Sequence, residues 1–391
     1  MAGFDAIVIG AGAAGLMCAI AAGQRGRRVL VLEHGRQAGA KILISGGGRC
    51  NFTNTGTAPG RFFSANPHFA KSALARYTPR DFIALVERHG IAWHEKTLGQ
   101  LFCDGSARAI VAMLLAECAA VGVEIRTGCR VTGLSRADAF RVETDQGAFT
   151  AAALVLASGG LSIPKMGATG FAHEVASRFG LALVPPLPGL VPLTFAGDEL
   201  ALMQPLSGLA LEVSASCGRT SFREAMLFTH RGLSGPAILQ ISSVWRQGEA
   251  ITLDLLPGQD ARALLLARKQ ARPNAELKTV LAEFLPQRLA SALTEGRLPN
   301  APMGRLRDRE LAAVAEKLAR WRLIPAGSEG YAKAEVTLGG IDTAGLSSQT
   351  MQARAVPGLF VIGEAVDVTG WLGGYNFQWA WASGQAAGQA V

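Results

Sequence analysis

The sequence predicts an α/β protein in which both chain ends build one parallel-sheet domain and the middle of the chain is inserted into it. Three observations carry this expectation. A strand, a glycine turn, a helix and a second strand fill the first 33 residues. Gly358-Leu359-Phe360-Val361-Ile362-Gly363 repeats the strand-into-glycine pattern near the other end. The texture changes at Pro185, where Pro185, Pro186, Pro188 and Pro192 crowd one short stretch.

With 391 residues, 49% hydrophobic and 17% charged, the chain has room for two or three domains of about 150 residues each and is neither disordered nor fibrous. Its 47 glycines follow no triplet period, so they serve tight turns and close backbone approaches. The cysteines at 18, 50, 103, 118, 129 and 217 form no CxxC pair and no zinc spacing with histidine. Reduced thiols, a cytoplasmic location and no metal site are therefore expected. Residues 4–23 carry a single charge, Asp5, but no Lys or Arg precedes them and Gly10, Gly12 and Gly15 interrupt them. Neither a leader peptide nor membrane insertion is expected.

Residues 5–10 are a short apolar run ending in glycine and read as a buried parallel strand. Residues 13–25 are alanine-rich and read as a helix. Residues 28–32 are a second strand closed by Glu33, which completes one βαβ unit. Residues 78–89 and 106–120 have helical periodicity, and 123–126, 140–144 and 153–157 read as strands, the last followed by Ser158-Gly159-Gly160. Residues 193–256 show short β-like runs, and 260–322 are Ala/Leu/Arg-rich with helical spacing broken at Pro273, Pro286, Pro299 and Pro302. A last helix is expected from about Asn376 onward. The resulting division is 1–190 with 332–391 as a Rossmann-like α/β domain, 191–257 with 323–331 as a β-rich insert, and 258–322 as a small helical insert.

Gly10-Ala11-Gly12-Ala13-Ala14-Gly15 fits GxGxxG between a strand and a helix. The first glycine makes the turn, the second lets backbone approach a pyrophosphate, and the third lets helix and strand pack closely. The helix N-terminus offers free N–H groups to the phosphates. Glu33, 23 residues after Gly10, sits where a carboxylate accepts hydrogen bonds from ribose hydroxyls. A carboxylate there repels a 2′-phosphate, which leaves FAD and NAD. The strand ending in Gly363-Glu364 favours FAD, because flavoproteins with such a strand place its acid on the ribityl chain. Between these ends, Gly46-Gly47-Gly48 bares the backbone, with Lys41 and Arg49 supplying charge and Ser45, Asn51, Thr53 and Asn54 neutral donors. Gly373-Gly374 leads through Tyr375, Asn376 and Phe377 into the last helix, whose N-terminus suits the negative N1–C2=O edge of a reduced flavin.

The strings 41–54, 229–236 (Thr-His-Arg-Gly-Leu-Ser-Gly-Pro) and 363–378 together resemble the BaiN/YhiN-type family of bacterial NAD(P)/FAD-dependent oxidoreductases, over essentially the whole chain. The resemblance implies one FAD in a Rossmann-like domain made from both chain ends, with a β-barrel-like insert and a small helical insert. It also implies that 229–236 ends a β segment and starts a helix aimed at the flavin cleft. Trp371 departs from the smaller or polar residues expected at its position. The candidate cofactor-binding set is then Gly10, Gly12, Ala14, Gly15, Glu33, Lys41, Gly47, Gly48, Arg49, Cys50, Asn51, Val131, Ser158, Gly159, Gly363, Glu364, Gly374, Asn376 and Phe377.

Candidates for chemistry are His230, Cys50 and Tyr375. His230 would act as an acid or base, or only brace the glycine turn beside it. Cys50 would be a thiol near the ring with Arg49 lowering its pKa, or a small loop filler. The expected activity is hydride transfer through a non-covalent FAD to or from a small organic substrate. An enone-type acceptor or O₂ would oxidise the flavin. No second GxGxxG with a following acid is present, so NAD(P)H would visit only transiently. Alternatives are an oxidase acting on a small amine with O₂, and an RNA-associated flavoprotein.

The last alternative rests on charge. The chain carries +8, of which 260–322 hold +6 from 13 Lys/Arg and 7 Asp/Glu. That segment has one Trp and one Phe, Trp321 and Phe284, too few for a base-stacking surface. Its arginines are also interleaved with acids at helical spacing. No specific nucleic acid is therefore expected, and the insert reads as a lid or docking surface over the flavin cleft. A small-molecule substrate and a monomer or homodimer complete the expectation.

Overall fold

Ala6 to Ile9 of strand β1 (Phe4–Ile9) are buried, as are all four residues of β2 (Val29–Leu32). Strands covered on both faces are what continuous apolar runs produce. The sheet continues through β3 (Glu124–Arg126), β4 (Gly147–Leu156) and β5 (Leu359–Val361), and these five run parallel in the order β3-β2-β1-β4-β5. Strands Val131–Arg136 and Phe140–Thr144 extend it as an antiparallel arm on the first half of β4. The Rossmann-like α/β class is thus present, in a computed structural model that describes residues 3–391.

Helix α1 (Ala13–Gly23) connects β1 to β2 and is buried from Ala14 through Gly23. Its apolar surround is matched by α2 (Tyr375–Gly388), the final helix read from the sequence. Gly384 and Gly388 bring the two backbones together, since a Cβ on either would lie 2.5 Å from a carbonyl oxygen of α1, Ala14 or Cys18. Two buried tryptophans anchor α2 with satisfied indoles, Trp379 Nε1 donating to Gly363 O at 3.0 Å and Trp381 Nε1 to Phe52 O at 2.8 Å. The helices read at 78–89 and 106–120 are Pro79–Arg88, with Thr78 and Asp81 forming a capping box, and Arg108–Ala120. Helices Ala40–Ile44, Lys71–Arg76 and Phe171–Arg178, and a three-stranded sheet of Asn51–Asn54, Gln100–Cys103 and Trp93–Glu95, were not legible beforehand.

The chain divides into two compact units, Met1–Pro188 with Val336–Val391, and Gly189–Glu335. The second unit holds a seven-stranded sheet, every pairing antiparallel, around the hairpin Ala210–Cys217/Thr220–Thr229. Val213, Ala215, Phe222, Met226 and Phe228 fill its core by alternation. Helices Ala261–Ala271, Leu277–Leu281, Gln287–Gly296 and Asp308–Ala319 belong to the same unit and break at Pro273, Pro286, Pro299 and Pro302. Among the described residues no helix is long and apolar enough to cross a membrane. Nor does any group of three or more His, Cys, Asp or Glu among them gather to hold a metal ion.

Candidate functional site

The glycines of the first turn divide by what surrounds them. Gly10 has φ +111°, and a Cβ there would lie 2.5 Å from Ala157 O. A Cβ on Gly15 would lie 1.9 Å from Gly10 O. Both glycines are demanded by the protein's own backbone. Gly12 differs, because no atom lies within 4 Å of where its Cβ would be. Its bare backbone faces open space at the N-terminus of α1, the room a diphosphate needs.

Glu33 closes β2 and reaches back to this turn. Its Oε2 accepts from Ala11 N–H at 2.9 Å and its Oε1 from Gly35 N–H at 2.7 Å, with 14% of the side chain exposed. The carboxylate therefore braces the turn and keeps lone pairs for a ribose. Glu33→Ala is expected to weaken FAD binding by about 1–3 kcal/mol, the range for charged hydrogen bonds. Fluorescence titration of stripped protein with FAD checks this, and unchanged affinity would remove Glu33 from the site. Val131 lies two residues beyond Cys129, whose N–H donates to Glu33 O at 2.9 Å.

At the ends of β4 and β5 the structure assembles a polar cluster. Lys41 Nζ donates to Glu364 Oε2 and to Ser162 Oγ, both at 2.6 Å. Glu364 Oε1 accepts from Ser162 Oγ at 2.6 Å and from Thr337 N–H at 2.9 Å. Burial works to raise the Glu364 pKa, but the Lys41 charge and the bonds from Lys41, Ser162 and Thr337 outweigh it and hold the carboxyl below its ordinary value. Gly159 and Gly160 lie against this carboxylate, and Gly363 packs on Ala14 of α1. Ser158 Oγ, beside them, is buried with no hydrogen-bond partner. Ser162 and Thr337 were missed by sequence reasoning, since neither sits in a motif.

Gly46, Gly47 and Gly48 have φ of +57°, +68° and +84°, a left-handed run that L-residues avoid. Gly47 has no atom within 4 Å of its Cβ position, so the loop is bare on that side. Arg49 is exposed beside it. Cys50 is fully buried, and burial pushes its thiol up to about 12, only partly offset by a hydrogen bond with Ser45. A thiol held that high is protonated at neutral pH.

The Gly373-Gly374 turn is clamped by neighbours of both chain halves. Asn54 Nδ2 donates to Gly373 O at 2.8 Å, and a Cβ on Gly374 would lie 2.3 Å from Thr53 O and 2.8 Å from the Asn51 amide. Asn376 spends both ends of its amide on this loop, accepting from Gly370 N–H at 2.8 Å and donating to Gly370 O at 2.9 Å. Its place is therefore that of a brace. Phe377 stacks on Trp381 at 5.6 Å within an aromatic ladder that continues to Phe82. Tyr375 is buried edge-on to Phe62, and Arg61 lies 4.2 Å over the Trp371 ring. His230 belongs to the second unit, exposed at the turn between Thr220–Thr229 and Gly232–Ser234, ahead of the helix Pro236–Ser242.

A glycine turn, an acid closing β2, a glycine-lined loop and a helix N-terminus lie together on one Rossmann-like unit, and the relatives place that unit among FAD-dependent oxidoreductases. The chain belongs to the HI0933-like family, whose Rossmann-domain model matches residues 4–390. It is 52% identical over 390 residues to the ribosomal RNA dihydrouridine synthase of Escherichia coli (strain K12), covering 99% of this chain and 97% of that protein. It is 30% identical over 403 residues to the 3-dehydro-bile acid delta(4,6)-reductase of Clostridium scindens, covering 98% of each. The fold is shared with a 3-ketosteroid-Δ4-(5α)-dehydrogenase from Rhodococcus jostii RHA1, with TM-score 0.51, 16% identity and 98% and 96% of the two chains covered. The name of the first relative stands against the expectation of no specific nucleic acid.

Proposed function

We propose that this protein reduces a uridine of ribosomal RNA to dihydrouridine with a non-covalent FAD. The observation that carries the reading is the 52% identity, end to end, with a protein named for that reaction. The site supports it. Open space at Gly12 and Gly47 and the unpartnered buried Ser158 hydroxyl are what a chain prepared for a large polar group leaves behind. Gly10 to Gly15 would hold the diphosphate, Glu33 the ribose, and Gly46 to Gly48 with Gly374 the flavin end. When bound, FAD supplies hydride transfer to a carbon–carbon double bond, with NAD(P)H as the class of reductant that recharges it.

This chain's own residues orient and polarise. The N-terminus of α2 places its positive dipole end at Gly374, suited to negative charge held there. Lys41 is fixed by two hydrogen bonds, so its charge is preorganised beside the cofactor loop. Uridine C5=C6 is conjugated with a carbonyl, as is the Δ4,6 system of a 3-oxo steroid. The bile-acid relative thus favours a second reading, a reductase of small enones. Protein loaded with FAD and given NADPH or NADH, with ribosomal RNA from cells lacking the enzyme, separates the two. Dihydrouridine detected by nucleoside mass spectrometry supports the first reading. Turnover of small enones with no dihydrouridine establishes the second.

A further inference from the structure

We infer that a groove on the Gly189–Glu335 unit docks the phosphodiester backbone of RNA, an inference that rests on the ribosomal RNA reading. The groove has a volume of about 490 Å³. It lies where the helix Gln287–Gly296 ends, beside the last turn of Asp308–Ala319 and the edge strand Trp321–Leu323. Among the described residues four cations line it, Arg297, Lys317, Arg320 and Arg322, and no carboxylate does.

The four are held differently. Arg297 is oriented from behind by Glu199 Oε1 at 3.0 Å, and Lys317 Nζ donates to Arg297 O at 3.0 Å. Arg320 has only an exposed pairing with Glu316 at 3.4 Å, of the kind worth little in water. Arg322 points outward from the edge strand and has no ion pair among the described residues. Elsewhere in the basic segment some cations are paired, Arg268 and Arg272 sharing Glu283 and Lys269 meeting Asp308. Trp321, the aromatic in the groove, is only 8% exposed, so no ring face is offered to a base. A row of cations on an apolar floor without a stacking platform matches phosphates read by charge and spacing.

The test uses the full chain loaded with FAD and protein-free total ribosomal RNA as the probe. The triple variant Lys317→Gln/Arg320→Gln/Arg322→Gln is compared with Arg262→Gln/Arg305→Gln/Arg309→Gln, which removes the same charge from exposed positions outside the groove. The groove triple is expected to lose tenfold or more in affinity, and its salt slope to fall by about 2, at ~0.7 per phosphate contact for single strands. The control triple is expected to lose less than threefold. Arg320→Lys/Arg322→Lys keeps the charge and should bind as the parent does, which guards against a folding artefact. Equal losses in both triples would mean diffuse attraction and overturn the inference. So would an unchanged groove triple, or a parent that binds no RNA. Dihydrouridine formation unaffected in the groove triple removes the groove and leaves the function. RNA binding through the groove without dihydrouridine removes the function and leaves the groove.

Discussion

Gly15→Val is expected to give protein that is colourless and largely insoluble. Its Cβ would lie 1.9 Å from Gly10 O and 3.2 Å from Ala157 Cβ, so α1 must leave the strand it packs on. A steric conflict of this kind with buried backbone costs ~4 kcal/mol, a large share of a domain's stability. Gly12→Ala is the informative partner. With no atom within 4 Å of the new methyl group, the melting temperature should stay within a degree or two, while FAD affinity falls because the methyl occupies the diphosphate's space. Thermal melts of apoprotein together with FAD titration check both. A Gly12→Ala protein with full FAD affinity would displace the phosphates from this turn.

Glu364→Ala has the second large effect. It strips partners at once from Lys41 Nζ, Ser162 Oγ and Thr337 N–H. Because the cluster is partly solvated, with 20% of the Glu364 side chain exposed, the loss is set at ~2–3 kcal/mol rather than at the figure for a sealed pair. Its pH dependence has a definite sign. A carboxyl whose folded pKa is depressed contributes stability above its unfolded value, here 4.5, and loses it as pH falls through the folded value. Urea denaturation should therefore show the full gap between parent and variant at pH 7 and a gap that closes in acid below 4.5. A gap constant down to the lowest folded pH would mean that Glu364 is not held ionised by Lys41.

The βαβ opening was legible because its apolar runs, glycine offsets and closing acid all lie within the first 33 residues. The last helix was legible for the same local reason, and it is found at Tyr375–Gly388. The Lys41–Glu364 pair and the hydrogen bond from Thr53 Oγ1 to Gln378 Oε1 were not, since 323 and 325 positions separate the partners and no spacing rule reaches that far. The proline cluster at 185–188 marked a boundary but hid a strand, Leu183–Gly189, which pairs with Val336–Ile341 in a two-stranded sheet. A strand with one neighbour tolerates missing N–H donors. Gly339-Gly340 fitted no nucleotide motif, and the structure gives both another use. A Cβ on either would lie 2.6 Å from a carbonyl oxygen, that of Pro185 or Ala365. The nucleic-acid expectation leaned on scarce aromatics, which limits base stacking but leaves backbone binding untouched.

The most direct test of the central claim is the dihydrouridine content of ribosomal RNA in the source organism. RNA is purified from cells lacking this protein, from the same cells carrying the intact chain, and from cells carrying Gly12→Ala. Dihydrouridine in ribosomal RNA is expected to fall on deletion, to return with the intact chain, and to stay low with Gly12→Ala. An unchanged dihydrouridine content across all three strains would contradict it.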